Sequence, residues 1–275
     1  MTPDSFNFVA GLVKQRSGIV LTADKGYMLE TRLGPMLRRD GIGSLDALAM
    51  RLRAPGSTAL AAEVVEALTT NESSFFRDGK PFEHLKKLLP RMAAARPPGH
   101  VIRVWSAACS SGQEAYSIAM TVLELGPVLG GRRVEIIGTD LSREMLDRAQ
   151  EGVFTQFEVQ RGLPVTMLVK HFVQDGTRWR VKPELRAMAR FQAFNLLDDP
   201  RALGRFDIVF CRNVLIYFDA PTKSRVLGTL AGLLPPDGVV YLGGAETVLG
   251  LTERLVPTPG ERGVYEPARA AARSA

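Results

Sequence analysis

The stretch VIRVWSA (101–107), running straight into Ala108-Cys109-Ser110-Ser111-Gly112-Gln113-Glu114, decides how the chain is read. β-Branched and aromatic residues make a strand candidate, and small residues then make a tight turn. EAYSIAMTVLEL (114–125) follows with apolar residues at helical spacing. A strand, a small-residue turn and a helix N-terminus let a ligand come close to backbone amides. The turn holds one glycine, Gly112, so it is not the GxGxxG dinucleotide fingerprint.

Outward from this unit the alternation continues. VEIIGTD (134–140), RFQAFNL (190–196), FDIVFCRN (206–213) and GVVYLGG (238–244) are further strand candidates, with helical patterns at 142–150 and 221–234. Such alternation predicts an α/β fold, a doubly wound parallel sheet covered on both faces, with ligands at the C-terminal strand ends. Asp140, at the tip of the second strand, can accept both hydroxyls of a ribose. Equally, Asp140 or Ser142 can cap the following helix. Together with the small-residue turn, Asp140 points to a nucleoside-bearing cofactor. Residues 153–190 interrupt the pattern with a helical LPVTMLVKHF and then FVQDGTRWRVKP, in which Asp175-Gly176 is predicted to turn a hairpin.

Upstream, residues 6–68 are helical throughout, in FNFVAGLV, YMLETRLGPML, LDALAMRL and LAAEVVEAL, with Ser44 and Ser57 as expected caps. Arg32, Arg38, Arg39, Arg51 and Arg53 outnumber the local acids Asp40 and Asp46. They form either a solvated face or a docking face for an acidic helical partner, since Arg forks bind carboxylates bidentately.

Composition sets the bounds. In 275 residues, 45% hydrophobic and 23% charged positions exclude disorder and collagen-like repeats. No uncharged run reaches the ~18–20 residues of a membrane span. The first apolar stretch is preceded by an acid and followed by Lys and Arg, the reverse of a secretion signal, so a cytoplasmic protein is expected. The formal charge of +6 suits an acidic partner, but the basic residues are dispersed and not interleaved with aromatics, which argues against nucleic acid. His84, His100 and His171 lack neighbours at ligand spacing, and no metal is expected. Cys109 and Cys211 should stand at the tips of adjacent strands, where bound cofactor is expected to slow their alkylation.

The string Thr69-Thr70-Asn71-Glu72-Ser73-Ser74-Phe75-Phe76-Arg77-Asp78 resembles the TTNxTxFFR(D/E) signature of the CheR family, the S-adenosylmethionine-dependent chemoreceptor glutamate methyltransferases of bacterial chemotaxis signal transduction. RVWSAACSSGQEAYSIAM (103–120), GTDLSREMLDRAQEGVF (138–154), FNLLD (194–198), FDIVFCRNVLIYFD (206–219) and PPDGVVYLGGAE (235–246) are similar to that family's successive strand motifs, in order, over nearly the whole chain.

The resemblance implies a Rossmann-like class I methyltransferase domain at 71–267, with 153–190 as a small inserted β-subdomain. An all-α domain at 1–70 would contact the receptor's methylation helices, and 268–275 would be a flexible tail. It further implies that Asn71, Ser73 and Arg77 reach the cofactor, Glu114 meets its amino-acid moiety and Asp140 its ribose. Asn195, Leu196, Arg212 and Asn213 would line the adenine side and pocket floor. Arg77 and Tyr217 would lie nearest the transferred methyl, and the demethylated product would be S-adenosylhomocysteine. Without the surrounding signature, Arg77 reads as a surface arginine and Tyr217 as a core aromatic. A glutamate substrate, with an ordinary pKa of ~4.3, is already ionised at neutral pH, so no base is needed.

Gln113 and Ala115 replace the family's common Glu and Pro, and Gly244-Ala245-Glu246 replaces its usual His-Ser-Glu. In some members a longer hairpin loop grips a tethering peptide at the receptor C-terminus. The compact Asp175-Gly176-Thr177 loop predicts direct binding of the methylation helices without a tether. Two other readings are a cofactor-binding signalling module and a nucleic-acid methyltransferase. The first is opposed by the full site set and the second by the lack of an NPPY-like tetrad.

Overall fold

The computed structural model describes residues 1–268 and groups the chain into two compact units, Met1–Thr70 with Tyr217–Thr222, and Asn71–Ile216 with Lys223–Ala275. The tail expected at 268–275 lies, apart from Ala268, outside the described residues. Among the described residues no helix is long and apolar enough to cross a membrane.

The first unit holds α1 (Pro3–Ser17), α2 (Gly26–Arg39), α3 (Leu45–Arg53) and α4 (Thr58–Ala67). Val9 and Val13, Leu29 and Leu33, Leu48 and Leu52, and Val64 and Leu68 recur four residues apart and are buried, so each helix turns one apolar stripe inward. Fully burying such a side chain contributes ~1.5–3 kcal/mol. Ser44 caps α3 by accepting the Ala47 amide at 3.1 Å. Ser57 does not cap α4; its hydroxyl donates backward to the Leu52 carbonyl at 2.7 Å. The segment 217–222 joins this unit through the Val20 amide, which donates to the Tyr217 carbonyl at 2.8 Å, and through Lys14, which pairs with Asp219 at 2.7 Å. Sequence periodicity held no sign of that long-range contact.

The second unit opens with α5 (Lys80–Ala95), β1 (Ile102–Ala107), α6 (Gln113–Glu124), β2 (Val134–Asp140) and α7 (Arg143–Glu151). An insertion follows: β3 (Val153–Thr155), α8 (Gln156–Gln160), α9 (Val165–His171), β4 (Phe172–Asp175), β5 (Arg178–Val181) and α10 (Pro183–Arg186). The unit closes with β6 (Ala189–Ala193), β7 (Ile208–Cys211), α11 (Ala220–Leu233, whose first three residues group with the first unit), β8 (Val239–Leu242), β9 (Leu255–Pro257) and β10 (Val264–Pro267). The main sheet runs β6-β2-β1-β7-β8-β10-β9, a Rossmann-like arrangement. β1, β7 and β8 are covered on both faces, which is why their sequences are nearly continuous apolar runs.

The sheet is mixed, not wholly parallel as expected: β10 runs antiparallel to both β8 and β9. Ala107 is level with Thr139 on one side and Cys211 on the other, so three strand tips end together. The inserted sheet is ordered β3-β5-β4. Its hairpin turns at Gly176-Thr177, one residue past the expected position, because Asp175 pairs with Arg178 and Gly176 takes φ of 59°. Phe75 is buried edge-on to Phe154 and Phe172, with ring centroids 4.9 and 5.6 Å away. Beside it, Gly162 has φ of +85°, and a Cβ there would collide with the Phe75 carbonyl oxygen.

Candidate functional site

The turn after β1 stores backbone strain. Ala108 and Ser110 sit at φ of 61° and 51°, a left-handed region that costs residues with a Cβ about 1–3 kcal/mol each. Hydrogen bonds hold it there: the Cys109 amide donates to the Thr139 carbonyl at 2.9 Å, and the Ser110 amide donates to Asp140 Oδ2 at 2.8 Å. Ser110 Oγ donates to the Asn71 carbonyl at 2.6 Å, tying the turn to the 71–78 segment. Asp140 is buried, and its Oδ1 accepts the Ser142 amide at 2.9 Å. Of the two residues considered as caps, Ser142 is the N-cap of α7 and accepts the Met145 amide. Asp140 instead clamps the turns on both sides of its strand tip.

On the far side of β1, just past β7, Arg212 is the centre of a polar cluster, with its side chain 2% exposed. Nη1 donates to Glu114 Oε2 at 3.0 Å, and Nη2 donates to Asp78 Oδ2 at 2.6 Å and to the Arg77 carbonyl at 2.9 Å. Glu114, in the first turn of α6, also accepts Ser106 Oγ at 2.7 Å through Oε1. Among the described residues Arg212 Nε is buried without a partner. A buried cation here is stabilised by two carboxylates and a carbonyl, and the links to Asp78 and the Arg77 carbonyl draw the 71–78 segment toward the end of β7.

That segment is itself bent. Phe76 and Asp78 have φ of 46° and 67°, and the Phe76 amide donates to Ser117 Oγ at 2.9 Å. Arg77 is half-buried, and its Nη1 donates to the Glu72 carbonyl at 3.2 Å. Ser73 and Leu196 are also half-buried, and Asn195 Oδ1 accepts the Leu197 amide at 3.0 Å in a local turn after β6. Asn213 follows β7 at φ of 59°, with its amide donating to Glu246 Oε2 at 2.9 Å.

The structure therefore joins Asn71 to Asp140 through Ser110, and Arg77 to Glu114 through Arg212, in two hydrogen-bonded groups. Tyr217 belongs to the helical unit, on a short 3-10 turn. Sequence reading missed Asp78, Ser106, Ser110 and Glu246. Asp78 and Glu246 end the 69–78 and 235–246 motifs, and only Glu246, following β8, carried the signal of a charge beside a strand tip; the two serines offered none.

The five arginines of the helical unit divide. Arg32 donates to the Leu68 and Thr69 carbonyls at the end of α4, Arg39 pairs with Asp40 and Glu63, and Arg53 pairs with Asp4 while lying over Phe8. Arg38 and Arg51 are exposed, and their guanidinium groups hold no hydrogen-bond partner among the described residues. Cys109 and Cys211 lie at neighbouring strand tips but are 1% and 0% exposed. Burial pushes both thiols up, with Asp140 and Glu114 adding to the effect at Cys109 and Glu246 and Glu114 at Cys211. This corrects the expectation that cofactor would slow their alkylation, because such thiols are closed to reagents already.

Comparison with known proteins gives the same outline. Residues 71–264 match the family model "CheR methyltransferase, SAM binding domain", and residues 4–69 match "CheR methyltransferase, all-alpha domain". The chain is 42% identical to chemotaxis protein methyltransferase Cher2 of Pseudomonas putida KT2440, covering 88% of this chain and 89% of that protein. It is also 42% identical to chemotaxis protein methyltransferase 1 of Pseudomonas aeruginosa PAO1, covering 90% and 92%. With chemotaxis protein methyltransferase 1 of Vibrio cholerae the identity is 40%, covering 88% and 89%.

Proposed function

The chain belongs to the CheR methyltransferase family, and on that footing we propose that it methylates glutamate side chains on the cytoplasmic helices of chemoreceptors. The products would be glutamate methyl esters and S-adenosylhomocysteine. The observation that carries the reading is a pair of buried carboxylates on neighbouring parts of the sheet's edge, Asp140 at the tip of β2 clamped by two backbone amides and Glu114 in the first turn of α6 held by Arg212.

These residues suit a ligand with a ribose and an ammonium group. Asp140 offers a fixed anion to ribose hydroxyls, and Glu114 offers one to an ammonium. Asn71, Ser73, Asn195, Leu196, Arg212 and Asn213 complete the walls in this reading. S-adenosylmethionine, when bound, supplies an electrophilic methyl on a cationic sulfur.

The residues of the chain then need only bind, align and keep the site dry. The substrate carboxylate, which titrates near pH ~4.3, is ionised at neutral pH and needs no base. Arg77 orients it through its fork, and Tyr217 donates one hydrogen bond. Excluding water favours meeting of the opposite charges in line, since water stabilises separated ions more than the charge-dispersed transition state. On the helical unit, Arg38 and Arg51 are the arginines left to meet an acidic receptor helix. The compact hairpin favours docking without a C-terminal tether, in the cytoplasm.

The test is incubation with methyl-labelled cofactor, receptor cytoplasmic fragments and nucleic acid together. Base-labile label on the receptor, with one methylene of added mass on particular glutamates, is expected, and Arg77→Ala should remove it. Label on nucleic acid, or none, would overturn the reading.

A further inference from the structure

We infer that Glu246 is a positioning residue of this site, setting the backbone from Asn213 to Ile216 and thereby the placement of Asn213 against the cofactor. The inference rests on the proposed methyltransferase reading and adds to it a residue outside the set expected to touch cofactor.

Glu246 lies past β8, on the loop begun by Gly243, and is 8% exposed. Its carboxylate accepts four backbone amides. Oε2 takes Gly243 at 2.6 Å and Asn213 at 2.9 Å; Oε1 takes Val214 at 3.0 Å and Ile216 at 3.3 Å. No Lys, Arg or His pairs with it among the described residues. A concave run of amides around an anion is a known backbone device for binding phosphates and other acids. Here the anion comes from the chain itself, so the cradle is filled in the folded state.

The arrangement explains a strained residue. Asn213 holds φ of 59° directly after a strand, a conformation that persists only when its surroundings over-determine it. Amides at 213, 214 and 216 converging on one carboxylate supply that constraint. Gly243 shows how tightly the parts fit: a Cβ there would fall 2.8 Å from both Asn213 Nδ2 and Glu246 Oε2. The loop after β8 and the loop after β7 are therefore one unit, with the Asn213 side chain wedged against the Gly243 backbone.

A glutamine cannot replace the acid. Its single oxygen would serve one edge of the cradle, while its NH₂ would confront amide donors on the other, and the 213–216 backbone would have to turn.

The test uses the full chain and calorimetric titration with S-adenosylhomocysteine, with thermal melting as the check on folding. Glu246→Gln is expected to weaken binding about tenfold or more and to raise the KM for cofactor with the receptor KM unchanged. Placing it on Asn213→Ala should add less than about threefold, because both changes act through the same side chain. Gly243→Ala, which crowds the pair while keeping the charge, should weaken binding as well and stands in if Glu246→Gln does not fold. Unchanged affinity in Glu246→Gln, or fully additive losses in the double variant, would overturn the positioning role while wild-type binding upholds the methyltransferase reading. Absence of heat with the wild-type protein would overturn both.

Discussion

Arg212 Nη1 stands 3.0 Å from Glu114 Oε2, with the two side chains 2% and 11% exposed, so the pair sets opposite charges against each other inside the molecule. Removing one partner leaves a buried charge uncompensated, at a cost of about 3–5 kcal/mol. Arg212→Met is expected to lose stability of that order in chemical denaturation. The double variant Arg212→Met/Glu114→Leu should recover part of it. Wild-type stability in the single variant would mean that water already solvates the cluster.

Asp140 accepts two amides, one through each oxygen. Asp140→Asn removes the charge and places an NH₂ against one of those donors. Charged hydrogen bonds are worth ~1.5–3 kcal/mol each, so affinity for S-adenosylhomocysteine should fall on the order of a hundredfold by calorimetry. Equal affinity would remove Asp140 from the ribose site.

His84 is half-buried with Nδ1 2.8 Å from the Tyr241 hydroxyl, and burial holds the imidazole below its ordinary pKa. Burial likewise pushes the Tyr241 phenol up, so it stays neutral. The unfolded chain protonates near pH ~6.5, before the folded ring does. The neutral ring's contribution is therefore present above that pH and is lost as pH falls through the folded value. Melting temperature is expected to drop between about pH 7 and pH 5.5, and less steeply in His84→Gln. Parallel curves for the two proteins would exclude His84 as the group responsible.

Cys109 and Cys211 are sealed by packing, and both thiols are pushed up. Iodoacetamide followed by mass spectrometry should find neither modified in native protein, with or without S-adenosylhomocysteine, and both modified in denaturant. Native labelling at the rate of a small free thiol would show that the strand tips open.

Of the five strands beneath the site, β7 and β8 were legible because strands buried on both faces are short apolar runs, IVFC and VVYL, whereas the largely exposed β6 was legible from its place in the alternation. The β9 and β10 pair escaped notice: β9 is three residues long and ends in Pro257, and its partner follows a Pro259-Gly260 turn with little alternation. Helix α5 carries Pro81 and Pro90 within KPFEHLKKLLPRMAAA, which masks a regular inward stripe of Phe82, Leu85, Leu89 and Met92. At the site, Asp140 stood out in the sequence as an acid at a strand tip. The triad of Asp78, Arg212 and Glu114, two of its members buried, did not, since it joins residues up to 134 positions apart. Arg32 read as surface charge because nothing local shows that its fork reaches carbonyls 36 and 37 residues away.

The two tight turns of the inserted segment differ in how much change they can absorb. Gly176 lies at a hairpin tip where an added Cβ meets nothing within 4 Å, so extra residues or an epitope tag can be spliced in there without disturbing the neighbouring strands. Gly162 is wedged against the main chain at Phe75, leaving that bend intolerant of both bulk and added length. Divergence in loop size should therefore accumulate at the first turn, and an engineer seeking a fluorescent reporter or a new recognition peptide should graft it there.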